Sequence, residues 1–150
     1  RVRILSGLYG LLRPFDALRP YRLEMGTKLK GKTIQSLADF WKANVTNALN
    51  DLLIGGPLIN LASNEYFAAV DLKSIEAPVI SPVFKDLKNG DYKVISFYAK
   101  RARGLMARFI VETDARSADD LYRFDYGGYQ FAPAFSRPDA PCFVRDPEAR

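Results

Sequence analysis

Histidine is absent from this chain of 150 residues, and cysteine occurs once, as Cys142. Histidine is the commonest general acid–base group and the commonest metal ligand in proteins. Its absence therefore excludes serine–histidine–aspartate catalysis, cysteine–histidine catalysis and zincin-type zinc chemistry for this chain. A single cysteine cannot form a disulfide within the chain, which is typical of a reducing compartment. Any catalysis would have to use carboxylates, lysine or tyrosine.

Long hydrophobic runs are also missing. No apolar stretch approaches the length of a membrane span, and the first residues have no signal-peptide pattern. Apolar residues make up 48% of the sequence and charged residues 26%, which is ordinary globular composition. At this length a single domain with its own core is expected. We therefore expect a cytoplasmic protein of one domain that does not contact a membrane.

Basic residues are concentrated in two separate parts of the sequence. Residues 1–32 contain eight basic and two acidic side chains, giving +6, and residues 85–108 contain seven basic and two acidic side chains, giving +5. The remaining residues carry −6, so that the net charge of the chain is +5. Two basic segments on an otherwise acidic chain are typical of a protein that binds a polyanion.

The second basic segment predicts a strand followed at once by a basic amphipathic helix. Asn89-Gly90 is a favoured hairpin dipeptide, and residues 93–98 are rich in β-branched and aromatic side chains. From Lys100 onward, one helix face is apolar, and it consists of Ala102, Leu105, Met106, Phe109 and Ile110. The opposite face has Gly104 in its middle and carries four basic residues, Lys100, Arg101, Arg103 and Arg108.

Gly104 gives this basic face a possible functional meaning. Glycine inside a helix lowers stability by about 1 kcal/mol relative to alanine, so its position indicates that a ligand approaches the helix backbone closely there. A phosphate chain fits this description. The alternative is a solvated helix face with one poor helix former, and the sequence leaves both interpretations open.

In the first basic segment, arginines alternate with aromatic residues. Pro14 and Pro20 each follow an arginine and favour an extended backbone before them. In nucleic-acid grooves, guanidinium groups bind phosphates while aromatic rings stack on bases. We expect phosphate to be bound by three arginines, Arg13, Arg19 and Arg22. Base stacking remains open for the rings, although we favour a place in the core for Tyr9, Phe15 and Tyr21.

The rest of the sequence predicts an α+β domain. Ser36 is placed to cap a helix that contains Trp41 on its apolar face and ends before Gly55-Gly56-Pro57. A short buried strand at residues 57–62 precedes a helix that begins after Ser63.

The predicted β-hairpin pairs residues 79–84 with residues 93–98, and Pro82 places the first of these strands at a sheet edge or at a bulge. A short helix at residues 117–122 and a last strand at 127–131 follow. Residues 132–150 contain four prolines and predict a loosely ordered tail. The predicted fold is a mixed α/β (α+β) single domain, a mixed β-sheet with a β-hairpin, flanked by helices.

Three long blocks of sequence occur in a distinctive order. They are LSGLYGLLRPFDALRPYRLEMG at 5–26, INLASNEYF at 59–67 and KVISFYAKRARGLMARFI at 93–110. In this order and spacing they resemble the C-terminal portion of the YaaA family of bacterial peroxide stress proteins. The resemblance covers residues 1 to about 131, and the tail from Ala132 departs from the family pattern.

The resemblance implies a cytosolic bacterial protein of the hydrogen-peroxide response with a mixed α/β fold. It also implies DNA binding through a positively charged cleft and a role in limiting damage from intracellular iron. The resemblance implies that family members have a further N-terminal region with a helix-hairpin-helix-like element associated with DNA binding, and we expect that this sequence begins after it. We therefore expect the DNA affinity of this chain to be incomplete. No catalytic residue is carried over from the family.

Two functional hypotheses follow. The first is a DNA-binding protein of the peroxide response that contacts the phosphate backbone with little sequence preference. Its basic cleft is lined by Lys100, Arg101, Arg103, Arg108, Arg13, Arg19 and Arg22. The alternative is an enzyme acting on nucleic acid or a nucleotide.

The enzyme of the second hypothesis would use Lys100, Glu24 or the Glu65-Tyr66 pair in a closed pocket. Whether the chain is an enzyme stays open, and we favour a protein that is not. The missing histidine and the lone cysteine argue against direct iron coordination. We expect no cofactor and no bound metal, and we favour a monomer.

Overall fold

The computed structural model describes residues 2–29 and 35–149. Contacts group the chain into two compact units. Unit 1 comprises Arg1–Ile54 and Ala62–Glu76, and unit 2 comprises Gly55–Leu61 and Ala77–Arg150. Both units combine strands with helices, and each has its own cluster of buried apolar side chains.

Unit 1 is built from a hairpin and two helices. Strand β1 (Ile4–Ser6) pairs antiparallel with strand β2 (Gly10–Leu12). Helix α1 (Leu37–Leu52) and the short helix α2 (Asn64–Phe67) follow. The core of the unit contains Met25, Leu37 and Ala69, with partly buried residues packed around them, among them Leu23, Trp41 and Tyr66.

Helix α1 begins where the sequence predicts. The Ser36 side chain accepts a hydrogen bond of 3.0 Å from the Asp39 backbone amide, which satisfies one of the free amides of the first turn. The packing role predicted for Trp41 is confirmed, because its ring lies against the hairpin and its Nε1 donates to the Gly7 carbonyl at 2.9 Å. Gly10 has φ of +71°, and a Cβ there would lie 2.6 Å from the Trp41 ring. Only glycine fits this position without displacing the indole.

Unit 2 contains a four-stranded mixed sheet and a separate parallel pair. Its strands are β3 (Leu58–Ile59), β4 (Val79–Ile80), β5 (Val83–Lys88), β6 (Asp91–Lys93), β7 (Gln130–Phe131) and β8 (Cys142–Arg145). The order in the larger sheet is β6-β5-β8-β7, with β5 and β8 parallel and the outer pairs antiparallel. β3 pairs with β4 in parallel. The predicted α+β class with a mixed sheet and a hairpin is confirmed.

One long helix contributes much of the core of unit 2. Helix α3 (Ser96–Thr113) buries Ala102, Met106 and Phe109 in a cluster that also contains Phe84 and Phe143 from the sheet. The predicted apolar face is confirmed, because Leu105 and Ile110 are partly buried and pack against the same cluster. Helix α4 (Ala118–Leu121) follows, with a complete capping box between Ser117 and Asp120.

The hairpin turn is confirmed, but the strand predicted after it at residues 93–98 is misplaced, because the observed strand β6 is Asp91–Lys93. Asn89 and Gly90 have φ angles of 54° and 81°, as a tight hairpin turn requires. β6 ends at Lys93, and residues 96–98 form the first turn of α3. The β propensity of these residues is overridden by packing, because starting the helix there buries Ala99 against the core.

Pro82 interrupts the strand predicted at residues 79–84. β4 and β5 lie on either side of it and belong to different sheets, and β5 is an interior strand rather than an edge strand. The backbone amides of Ser81 and Val83 donate to the carbonyls of Asp139 and Pro141 at 2.8 and 2.9 Å. Alternate amides of an extended chain point in opposite directions, so Pro82, which has no N–H, occupies a position that does not donate to this neighbour.

The segment 132–150, predicted as a loosely ordered tail, contains an interior strand. β8 lies between β5 and β7, and Cys142 and Phe143 have no exposed surface. Burial raises the pKa of the Cys142 thiol, which suits a packed side chain and not a nucleophile. The strand is only four residues long and stands between Pro141 and Pro147, so the sequence showed little periodicity there.

Candidate nucleic-acid interface

The exposed face of α3 carries two adjacent cations near the start of the helix. Lys100 and Arg101 are both exposed. Within residues 2–29 and 35–149, neither side chain forms an ion pair. Their charges are therefore not offset by a contacting carboxylate, and an anionic ligand would not have to displace one.

The other two basic residues of α3 are engaged within unit 2. Arg103 is half-buried, and its guanidinium donates to the carbonyls of Ala99 and Leu61, each at 3.4 Å. Arg108 Nε donates to Glu112 Oε1 at 2.8 Å, and Glu112 also accepts from the Tyr126 hydroxyl at 2.8 Å. These two bonds, with Arg108 contributing most, lower the pKa of the Glu112 carboxyl. Arg108 is thus less available to an anion than Lys100.

Gly104 lies on the exposed face between these cations. A Cβ at this position would have no atom within 4 Å, so its immediate surroundings in the described chain are open. No packing contact requires glycine there. The close approach of a ligand to the backbone stays a prediction.

The three arginines of the first basic segment are all exposed, in unit 1. Arg13 pairs with Asp16 at 2.9 Å, and Arg22 lies 3.8 Å from Glu24. No carboxylate contacts Arg19 in the described part of the chain. Arg19 and Arg22 are therefore the more available charges of this segment.

The aromatic residues of the same segment lie outside the core. Phe15 is 100% exposed, Tyr21 is 40% exposed and Tyr9 is 37% exposed. The preference for a core position is wrong for all three. The core of unit 1 is formed by other residues, among them Met25 and Leu37, with Leu23 packed against it.

The seven predicted site residues thus form two sets. Arg13, Arg19 and Arg22 lie on unit 1, and the residues of α3 lie on unit 2. Each set is at the surface of its own unit, apart from the half-buried Arg103. Their convergence on one cleft stays a prediction.

Of the residues named for the alternative enzyme, Glu65 and Tyr66 have structural contacts in unit 1, whereas Lys100 lies on unit 2. Glu65 Oε1 accepts from the Gly26 amide at 2.8 Å, and Tyr66 packs against the core of the unit. Glu24 is exposed beside Arg22. Glu65 thus holds the turn at Gly26, and Tyr66 contributes to the core of unit 1. An open depression of about 500 Å³ on unit 2 is lined by other residues, at 87–89, 95, 97, 98 and 147.

Unit 2 contains a buried polar network that was not predicted from the sequence. Arg145 donates to Asp86 through Nε at 2.8 Å and to the Gly127 carbonyl through Nη1 at 3.2 Å. The Tyr129 hydroxyl donates to the other oxygen of Asp86 at 2.9 Å. The guanidinium carbon of Arg145 lies 5.0 Å from the ring centroid of Tyr98 and 4.5 Å from that of Tyr129. The partners are far apart in sequence, so no local signal predicted the network.

Among residues 2–29 and 35–149, no three acidic or cysteine side chains gather as metal ligands would. None of the helices in these ranges combines the length and apolar character that a bilayer crossing requires.

The fold defines a class, an α+β protein, and both of its units carry exposed cations. Comparison with known proteins identifies the family. Residues 1–135 match the family model described as peroxide stress protein YaaA. The chain belongs to this family, as the sequence blocks predicted.

Curated relatives extend the match to nearly the whole chain. UPF0246 proteins of Shewanella amazonensis and Flavobacterium johnsoniae are each 53% identical to it, over 148 and 146 residues, and one of Idiomarina loihiensis is 55% identical over 148 residues. Each match covers 97% of this chain but only 57% or 58% of the relative. The chain therefore spans somewhat more than half the length of these relatives.

Proposed function

We propose that this chain supplies part of the DNA-binding surface of a cytoplasmic protein of the peroxide stress response. The observation that carries the proposal is the adjacent pair Lys100 and Arg101, exposed on α3 without an ion-pair partner in the described residues and close to the open backbone at Gly104. Family membership supports the physiological setting. Arg13, Arg19 and Arg22 add exposed cations from unit 1.

The individual cations are expected to contribute unequally. Lys100, Arg101 and Arg19 can neutralise phosphate without losing an internal ion pair. Arg108 would first have to exchange Glu112 for phosphate, and Arg103 would have to leave the Leu61 carbonyl. Contacts of this kind bind the backbone and carry no sequence information, so we expect little preference among DNA sequences.

The same electrostatics offers a route to protection from iron. A protein that neutralises phosphates releases the cations condensed on DNA. Ferrous ions held near the phosphates would be among those released, and fewer hydroxyl radicals would then form next to the bases. We propose this displacement, rather than iron coordination by the protein, as the protective effect.

Salt titration of DNA binding tests the proposal. Each neutralised phosphate adds about 0.9 to the magnitude of the slope of log affinity against log salt on duplex DNA. Changing Lys100→Ala and Arg101→Ala together is expected to flatten the slope by about 1.8 if both contact phosphate. Fluorescence anisotropy with a labelled duplex at several salt concentrations measures it.

A matched control removes the same net charge elsewhere. Arg116 and Arg123 are exposed but paired with Asp114 and Asp120, at 2.7 and 3.0 Å. The double variant Arg116→Ala, Arg123→Ala is expected to leave the slope nearly unchanged. Equal slopes for wild type and the Lys100, Arg101 variant would remove α3 from the binding surface.

A further inference from the structure

Phe15 is held outward at the tip of a rigid turn. The Asp16 carboxylate accepts from the Arg13 backbone amide at 2.8 Å and from Arg13 Nε at 2.9 Å, while the Asp16 amide donates to the Arg13 carbonyl at 3.2 Å. Pro14 fixes φ at the first corner of this turn. The second corner is Phe15, and its exposure is 100%. The turn thus displays a bare aromatic ring in solvent.

A second aromatic feature of the same segment is also held in place. The Tyr21 hydroxyl is 2.5 Å from Ser6 Oγ. Ser6 Oγ also accepts a hydrogen bond of 3.0 Å from the Tyr9 backbone amide. Ser6 is itself only 2% exposed, so both tyrosines are hydrogen-bonded to a buried residue of β1. Their rings meet edge to face, with centroids 5.3 Å apart and planes at 84°. Both rings keep part of their surface open to solvent.

The ends of the segment are fixed to the body of unit 1. At its start, Gly7 lies so close to the returning chain that a Cβ there would be 2.4 Å from the Leu23 carbonyl oxygen. The Gly7 carbonyl accepts from Trp41 of α1. Residues 8–22 are therefore held to unit 1 at both ends and along β2, and their arginines and the Phe15 ring remain exposed.

Aromatic rings held in solvent have an energetic cost that a ligand can remove. Burying a phenylalanine side chain is worth about 1.5–3 kcal/mol relative to leaving it exposed. The exposed cations of the segment, Arg19 and Arg22, favour a negatively charged ligand. A ligand with flat apolar faces and a negative backbone is a nucleic acid whose bases are unpaired, because every base has a face that can stack on a ring.

We propose that residues 9–22 form a site for single-stranded nucleic acid, in which Phe15 and the Tyr9–Tyr21 pair stack on unpaired bases while Arg19 and Arg22 bind the adjoining phosphates. The inference rests on the proposed nucleic-acid function and specifies the form of the ligand. In an intact duplex the base faces are covered by neighbouring base pairs, so these rings discriminate in favour of unpaired or locally opened DNA.

Substitutions at Phe15 separate stacking from hydrophobic contact. Phe15→Leu keeps an apolar side chain but removes the ring, and Phe15→Trp keeps a stacking surface. Affinity for a labelled single strand is expected to fall about 5- to 100-fold for Phe15→Leu, as for the loss of one stacked base, and to be retained for Phe15→Trp. Affinity for the duplex of the same sequence is expected to change little in both variants. Since Phe15 is fully exposed, neither variant loses core packing.

Two controls complete the experiment. Ile54→Ala removes another exposed apolar side chain of unit 1, 91% exposed, and is expected to leave single-strand affinity unchanged. An oligonucleotide with abasic residues keeps the phosphates but has no bases, so it is expected to bind wild type and Phe15→Leu equally.

The outcomes distinguish this site from the phosphate surface. If Phe15→Leu binds the single strand as wild type does, while the Lys100, Arg101 variant still flattens the duplex salt slope, the stacking site is overturned and the DNA-binding proposal stands. If no oligonucleotide binds at low salt, both fail. If Phe15→Leu instead changes only the sedimentation behaviour of the protein, the exposed rings serve self-association, and the stacking site is again overturned.

Discussion

Arg145 and Asp86 form a buried ion pair between the parallel strands β5 and β8. Their closest atoms, Nη2 and Oδ1, are 2.7 Å apart, and the side chains are 5% and 0% exposed. The two residues are register partners in the sheet, and Tyr129 and Gly127 supply further hydrogen bonds. A charge buried at this depth is tolerated only when it is paired and hydrogen-bonded. The pair joins β5 to β8, the strand that was not predicted from the sequence.

Removing one partner of this pair is expected to destabilise the protein strongly. Asp86→Ala leaves the Arg145 guanidinium buried without its counter-charge, which costs about 3–5 kcal/mol. Urea unfolding measures the change. The control is Asp91→Ala, whose partner Lys93 is exposed and whose pair is worth less than about 1 kcal/mol. Equal losses for the two variants would mean that Arg145 reaches water once Asp86 is removed.

Gly10→Ala is expected to disrupt the contact between the hairpin of unit 1 and α1. The new Cβ would meet the Trp41 ring at 2.6 Å, and φ of +71° is strained for alanine. We expect a loss of about 2 kcal/mol or more in the free energy of unfolding. Gly55→Ala is the matched control, because Gly55 has φ of +73° but no atom within 4 Å. The difference between the variants isolates the Trp41 contact, and its absence would contradict this account.

Gly104→Ala separates stability from binding. The methyl group meets no atom of the described chain, so we expect helix propensity alone to stabilise the protein by up to about 1 kcal/mol. If phosphate approaches the helix backbone at this point, DNA affinity falls although the protein is more stable. Thermal unfolding and anisotropy measure the two effects on the same sample. Higher stability with unchanged affinity would show that Gly104 lies outside the contact with DNA.

The lowered pKa of Glu112 leads to a prediction about the stability of the protein at acidic pH. Hydrogen bonds from Arg108 and Tyr126 lower this pKa in the folded state. Their stabilising contribution is complete above the pKa of glutamate in the unfolded chain, about 4.3, and is lost as pH falls through the lower folded value. In Arg108→Met we expect the Glu112 pKa to rise toward its ordinary value. Carboxyl NMR titration of wild type and variant measures it, and an unchanged pKa would assign the shift to Tyr126.

The elements that local chemistry specifies could be predicted from the sequence. Ser36 and the apolar spacing after it specify α1, and Asn89-Gly90 specifies its turn through its positive φ angles. The basic face of α3 follows from helical spacing alone. The ion pair of Arg108 with Glu112, four residues later, was also within reach of that spacing, although the sequence analysis did not use it.

Tertiary structure alone decided the features that depend on residues distant in sequence. The helix α3 begins at Ser96 and places Ala99 in the core, and β8 pairs with β5, where Arg145 lies beside Asp86. The cations at residues 13–22 could be read from the sequence. The exposure of Phe15 could not, because it depends on the hydrogen bonds of Asp16 in the turn and on a core that is built from other residues. Periodicity and capping act over a few residues, so the sequence itself determined the helices and turns. Burial and pairing depend on the folded chain, and they decided where strands end and which side chains remain in solvent.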